Sequence, residues 1–166
     1  MFLDLATLTF VHVLISLAGI GSGLIVLYGL LTAKRMDGWN LVFLTTTIAT
    51  SVSGFLFPFF TLLPSHITGI ISLIVLAIAV WARYPKRLAG TAGPIYAATA
   101  VLALYLNVFV LVVQLFLKVP VFNALAPTQS EPPFAAMQGF VFLAFAFLGY
   151  KAAVKQRPSK HLAQTA

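Results

Sequence analysis

The sequence predicts an all-α integral membrane bundle of five transmembrane helices, N-terminus outside and C-terminus cytoplasmic. Three observations predict it. Hydrophobic residues make up 61% of the 166 and charged residues only 8%, whereas a soluble domain carries about a quarter charged. Five apolar runs are long enough to cross the ~30 Å hydrocarbon layer of a bilayer. The Lys and Arg residues, ten in all, collect on alternate connections between those runs. Residues 1–166 read as one transmembrane domain.

The first span runs from about Leu8 to Leu31. Met1 to Phe10 carries Asp4 and no Lys or Arg, so the positive n-region of a cleaved signal is missing and a retained span is expected. Lys34-Arg35-Met36-Asp37-Gly38 forms a charged turn into the second span, about Leu41 to Phe60. That run is rich in Thr and Phe, yet hydrocarbon forces its backbone to bond within itself, so it too is expected to be helical. Leu63-Pro64-Ser65 is a tight reversal with Ser65 as the expected N-cap of the third span, His66 to Arg83. A basic loop follows, with Pro85-Lys86-Arg87 and Gly90-Thr91-Ala92-Gly93-Pro94. The fourth span covers about Ile95 to Leu117 and the fifth about Phe134 to Tyr150. Between them, Lys118 to Pro133 is the one long connection, stiffened by Pro120, Pro127, Pro132 and Pro133. Arg157-Pro158-Ser159-Lys160 is expected to end any extension of the last helix.

With the N-terminus outside, nine cations lie on the cytoplasmic side: Lys34, Arg35, Arg83, Lys86, Arg87, Lys151, Lys155, Arg157 and Lys160. Lys118 alone lies outside. Trp39, Trp81, Tyr84 and Tyr150 fall near the inner interface, where amphipathic aromatics settle. The net charge of +7 forms no basic stripe and so does not point to nucleic acid. The expected partner is the lipid bilayer, and the expected location the bacterial inner (plasma) membrane.

Polar groups inside lipid carry the functional information, because each needs a partner there. Projected at 100° per residue, His12, Ser16, Gly19 and Gly23 share one stripe of the first span. Gly19 and Gly23 form a GxxxG step that invites close helix approach. Thr46, Thr50 and Ser53 share a face of the second span, with hydroxyls able to bond back to their own helix. Ser65, Gly69, Ser72 and Ala79 do likewise on the third. On the fourth, Tyr96, Ala103, Asn107 and Gln114 fall on one line. Asn107 sits ~18 Å into that span at 1.5 Å per residue, near the bilayer centre. Its expected partners are Thr46, Thr50, backbone near Gly19, a ligand or trapped water.

His12, His66, Gln114, Gln138 and Glu131 gather at one height near the outer surface. They suit a hydrogen-bonded rim, the floor of a pocket entered from outside, or ligation of haem or a metal by His12 and His66. The absence of cysteine excludes thiolate sites and disulfides. Asp4, Asp37 and Glu131 are the only acids and fall in three separate terminal or loop segments. Paired-carboxylate hydrolysis, two-metal chemistry and an intramembrane Ser-His-Asp triad are thereby excluded.

Two stretches carry a resemblance: Leu104-Tyr105-Leu106-Asn107-Val108-Phe109-Val110-Leu111-Val112-Val113-Gln114 and Ala126-Pro127-Thr128-Gln129-Ser130-Glu131-Pro132-Pro133-Phe134. Both are similar to segments of small, uncharacterised bacterial inner-membrane proteins, and the resemblance implies a five-helix membrane protein. The five-span benzodiazepine-receptor-like porphyrin binders share the helix count, but their tryptophan-rich ligand motifs are missing here. The Thr128–Glu131 stretch is expected to lid the outer cluster or simply to join the last two spans.

The leading expectation is a non-enzymatic protein binding a small ligand or ion in an outward-facing pocket lined by His12, Asn107, Gln114, Glu131 and Gln138. The alternatives are an accessory subunit of a larger membrane complex or homo-oligomer, and a b-type haem or quinone-handling electron carrier using His12 and His66.

Overall fold

The computed structural model describes residues 4–57 and 64–158. Six helices follow one another, with no strand among the described residues: α1 Leu5–Thr32, α2 Asp37–Gly54, α3 Pro64–Arg83, α4 Ala92–Lys118, α5 Pro120–Leu125 and α6 Pro132–Lys155. Four of them are long and apolar enough to cross a membrane: α1, α4, α6 and the His66–Arg83 part of α3. The 18-residue α2 opens with Asp37 and Asn40 and carries four threonines, so it is shorter and more polar than the rest.

Several boundaries differ from the expected ones for identifiable reasons. α2 begins at Asp37, not Leu41, because the Asp37 carboxylate accepts from Arg83 at 2.6 Å and the Asn40 side chain donates to the Met36 carbonyl at 2.6 Å. Both bonds lock a first turn that composition alone assigns to the connection. Asp37 is therefore a helical residue and not a loop acid. The end of the expected second span, at 58–60, lies outside the described residues, as do Leu63, Ser159, Lys160 and His161. Ser65 falls inside the first turn of α3 and not ahead of it. The long connection is not continuous loop, since it holds α5 with Pro120 at its first turn. α6 runs to Lys155, five residues past the expected end.

The helix ends meet in two layers. In one, the C-terminal ends of α1, α3 and α6 adjoin the N-terminal ends of α2 and α4. Gln156 Nε2 donates to the Leu30 carbonyl at 2.9 Å, and the Tyr96 hydroxyl donates to Asn40 Oδ1. Among the described cations, all but Lys118 sit on this side of the bundle. In the opposite layer His12 meets Ser53, and Gln138 Nε2 donates to the Phe109 carbonyl at 3.2 Å. The five long helices thus alternate in direction.

α4 is the hub, packing against α1, α2, α3, α5 and α6. Its seam with α3 is built from Ala79, Ala82, Ala97, Ala100 and Ala103, all fully buried. Small residues let backbones approach where lipid offers no hydrophobic drive to associate. Phe43, Leu76 and Leu104 fill the centre. A second cluster at the far end seats α5, with the Phe116 ring 5.4 Å from Phe122 and 5.3 Å from Phe134.

Gly23 shows how tight the α1 packing is. A Cβ there would lie 2.6 Å from Leu104 Cδ1 and 2.9 Å from Phe43 Cε2, whereas one at Gly21 would meet nothing within 4 Å. Gly23→Ala is expected to lower stability by about 1–3 kcal/mol through overpacking. Gly21→Ala is expected to leave it unchanged or raise it by up to about 1 kcal/mol through helix propensity. Thermal unfolding of the two variants in detergent checks the pair.

Candidate functional site

The polar stripes of α1 and α2 face each other in antiparallel register. His12 Nδ1 bonds Ser53 Oγ at 2.8 Å. Two turns deeper, a Cβ on Gly19 would lie 3.1 Å from Thr47 Oγ1 and 3.3 Å from Thr46 Oγ1. Next come Gly23 and Phe43. This register puts Ser16 level with Thr50. Asn107 enters the seam from α4, its Nδ2 also 3.1 Å from the Gly19 Cβ position. Of the partners expected for Asn107 (Thr46, Thr50, backbone near Gly19, a ligand or trapped water), Thr46 and Gly19 lie beside it, but its Nδ2 bonds neither.

Three buried atoms along this seam have no hydrogen-bond partner: Thr47 Oγ1, Thr50 Oγ1 and Asn107 Nδ2. A threonine in a helix normally donates to the carbonyl three or four residues back, as Thr46 does to Val42 at 2.7 Å. The carbonyl four residues before Thr47 belongs to Phe43, and Thr46 already donates to it at 3.2 Å. The carbonyl three residues before Thr50 belongs to Thr47, and Ser51 donates to it at 3.0 Å. Thr47 and Thr50 make no such bond, and their hydroxyls are buried along the seam. Sequence reasoning chose Thr46, Thr50 and Ser53 and missed Thr47. The signal was available, because Asn40, Phe43, Leu44, Thr47 and Thr50 form the buried stripe of α2 at helical spacing.

The remaining predicted residues stand apart from this seam. Gln114 is exposed on α4. Gln138 spends its amide on the Phe109 carbonyl while its Oε1 is buried without a partner. Gln129 reaches the same helix, donating to the Val113 carbonyl at 2.9 Å. Glu131 caps its own turn: Oε1 accepts from the Thr128 hydroxyl at 2.8 Å and amide at 3.2 Å, and Oε2 from the Ser130 amide at 3.1 Å. The loop is therefore knitted to itself and to α4.

His12 and His66 flank the C-terminal end of α2. The His12 ring stands edge-on to Phe57 at 5.3 Å, and buried His66 lies 5.9 Å from the Phe55 ring. Among the described residues no group of three or more His, Cys, Asp or Glu comes together to hold a metal ion. Haem or metal ligation would rest on these two imidazoles alone.

At the opposite end, Arg83 is nearly buried, pairs with Asp37 and stacks 5.1 Å above the Tyr96 ring. Tyr96 donates to Asn40, which in turn donates to Met36. This network ties α2, α3 and α4 together beneath the Phe43–Leu104 layer. It separates the hydroxyl seam from the basic end of the bundle.

Loss of hydration pushes the Glu131 carboxyl up, but the hydrogen bonds from Thr128 and from the amides of Glu131, Thr128 and Ser130 outweigh it. Its pKa therefore lies below the ordinary 4.5. A depressed acid favours the ordered turn above its ordinary pKa, and that contribution is lost as pH falls through the depressed value. A carbon-detected NMR titration of Glu131 is expected to give a midpoint below 4.5, moving back upward in Thr128→Ala. A Glu131 midpoint unmoved by that substitution would contradict the assigned cap. Compared with known proteins, the chain matches no family model, no curated protein and no solved structure.

Proposed function

We propose that the chain is a five-span protein of the bacterial inner membrane that binds a small ligand or ion in an intramembrane pocket opening outward, without catalysing a reaction. The pocket is the seam of α1, α2 and α4, with His12 and Ser53 at its mouth and Asn107, Thr47 and Thr50 as its polar lining. One observation carries this reading: three hydrogen-bonding atoms on that seam are buried without partners. Each such atom costs about 1–3 kcal/mol if nothing meets it, and no bulk water reaches the centre of a bilayer to offset that cost. A guest that bonds them recovers the loss.

The five-span topology, N-terminus outside, draws support from two features. α2 packs between α1 and α3 with Asn40, Thr47 and Thr50 buried and the Thr45 and Thr46 hydroxyls bonded to their own helix, so its composition does not exclude it from lipid. The alternating helices also gather the cations at one end, as retention on the cytoplasmic side requires. A second reading, an accessory subunit of a larger membrane complex, is favoured by α6. Only Val141 and Ala152 of that helix are buried, and Phe140, Leu143, Phe147 and Tyr150 all face outward.

Two experiments test the proposal. The chain has no cysteine, so single cysteines report topology cleanly. Thr128→Cys is expected to react with an impermeant maleimide from outside, and Lys155→Cys only after permeabilisation. Labelling of both from one side overturns the five-span arrangement. For the pocket, Thr47→Val, Thr50→Val and Asn107→Leu are compared with wild type by thermal unfolding across a panel of small polar solutes and salts. A stabilising solute or salt is expected to lose its effect in all three. If every variant is instead more stable than wild type under every condition, the atoms serve no guest and the pocket reading falls.

A further inference from the structure

The basic end of the bundle repeats one arrangement on three helices. Lys34 Nζ lies 5.7 Å from the Tyr28 ring centre of α1, Lys86 Nζ 5.3 Å from the Trp81 ring of α3, and Lys151 Nζ 5.2 Å from the Phe147 ring of α6. In each pair the lysine follows its ring by four to six residues, toward the basic end of the helix. These distances fall within the ~6 Å reach of a cation–π contact. The rings are not core residues: Tyr28 is 53% exposed, Trp81 45% and Phe147 61%. α1, α3 and α6 all pack around α4, so the three pairs lie on the perimeter where acyl chains would surround the protein.

The charges there are otherwise uncompensated. Asp37 is the only acid at this end, and its ion pairs are with Arg83 at 2.6 Å and Arg35 at 3.9 Å. Among the described residues no carboxylate pairs with Lys34, Lys86 or Lys151. A lysine ammonium has three donors, and the ring covers one side of it. The remaining N–H groups are left at the rim of the hydrocarbon, at the height where an aromatic ring settles. A group that meets both halves of this arrangement carries phosphate oxygens directly above an apolar body.

We propose that the ring-and-lysine pairs Tyr28/Lys34, Trp81/Lys86 and Phe147/Lys151 are three binding sites for anionic phospholipid, the ammonium holding the phosphate and the ring covering the glycerol and upper acyl chain. The sites are independent of the α1–α2–α4 seam and stand or fall without it. They need only that the helices cross a bilayer.

The test uses the full chain in nanodiscs of phosphatidylcholine, with and without phosphatidylglycerol. Wild type is expected to retain phosphatidylglycerol over phosphatidylcholine in native mass spectra and to melt higher in the mixed discs. Each single variant, Lys34→Gln, Lys86→Gln or Lys151→Gln, is expected to lose about fivefold in phosphatidylglycerol affinity, the worth of one surface cation. Trp81→Leu, which keeps the charge, is expected to lose part of that preference as well. A control triple, Arg87→Gln with Lys155→Gln and Arg157→Gln, removes three charges that lie over no ring among the described residues and is expected to change retention less than the ring-lysine triple. Equal retention of both lipids by wild type overturns the proposal. Equal losses in the two triples also overturn it, by reducing the effect to net charge. So does an equal melting shift from inorganic phosphate in pure phosphatidylcholine discs, since that would mark a site for free anions.

Discussion

The scarcity of hydrogen-bond acceptors inside hydrocarbon governs the arrangement of this bundle. A helix satisfies its own backbone, and its carbonyls keep one spare lone pair each. Many of the polar side chains go to one of those spare positions. Thr9, Ser22, Thr32, Thr45, Thr46 and Thr99 return to their own helix. Gln138, Gln129, Asn123 and Gln156 instead reach carbonyls of a different helix. The amides thereby become rivets between elements, three of them landing on the far half of α4. Interhelical bonds of this kind are worth roughly 1 kcal/mol each in lipid.

The site departs from that pattern. Thr47 and Thr50 return to no carbonyl, and Asn107 Nδ2 donates to none. Thr50 lies level with Ser16, and Thr47 faces Gly19, where α1 offers no side chain. Asn107 meets it from α4 at the depth where an amide is most costly to leave alone. The packing feature and the polar feature are thus the same feature: the glycine step brings the helices close, and closeness buries the hydroxyls.

Helix type and the gathering of cations at one end were legible from the sequence, since they follow from apolar length and charge position. Asn107 was legible too, because one strongly polar residue in a long apolar run stands out at any register. The start of α2 was not. Asp37 and Asn40 look like loop residues until Arg83 and Tyr96, some forty-six and fifty-six residues later, supply their partners. The outer cluster was misjudged for the converse reason. His12, Gln114, Gln138 and Glu131 share a height, but height says nothing of azimuth: Gln114 faces outward, Glu131 caps its own turn, and Gln138 donates to Phe109 of α4. Sharing a depth is necessary for meeting and far from sufficient.

α6 is fastened differently from the other long helices. Only Val141 and Ala152 of it are buried, with Phe145 and Leu148 packed partly against the core, while Gln138 near one end and Gln156 just beyond the other clip it to α4 and α1. Its outer face, with Phe140, Leu143, Phe147 and Tyr150 exposed, is left to contact whatever surrounds the bundle, lipid or a second protein.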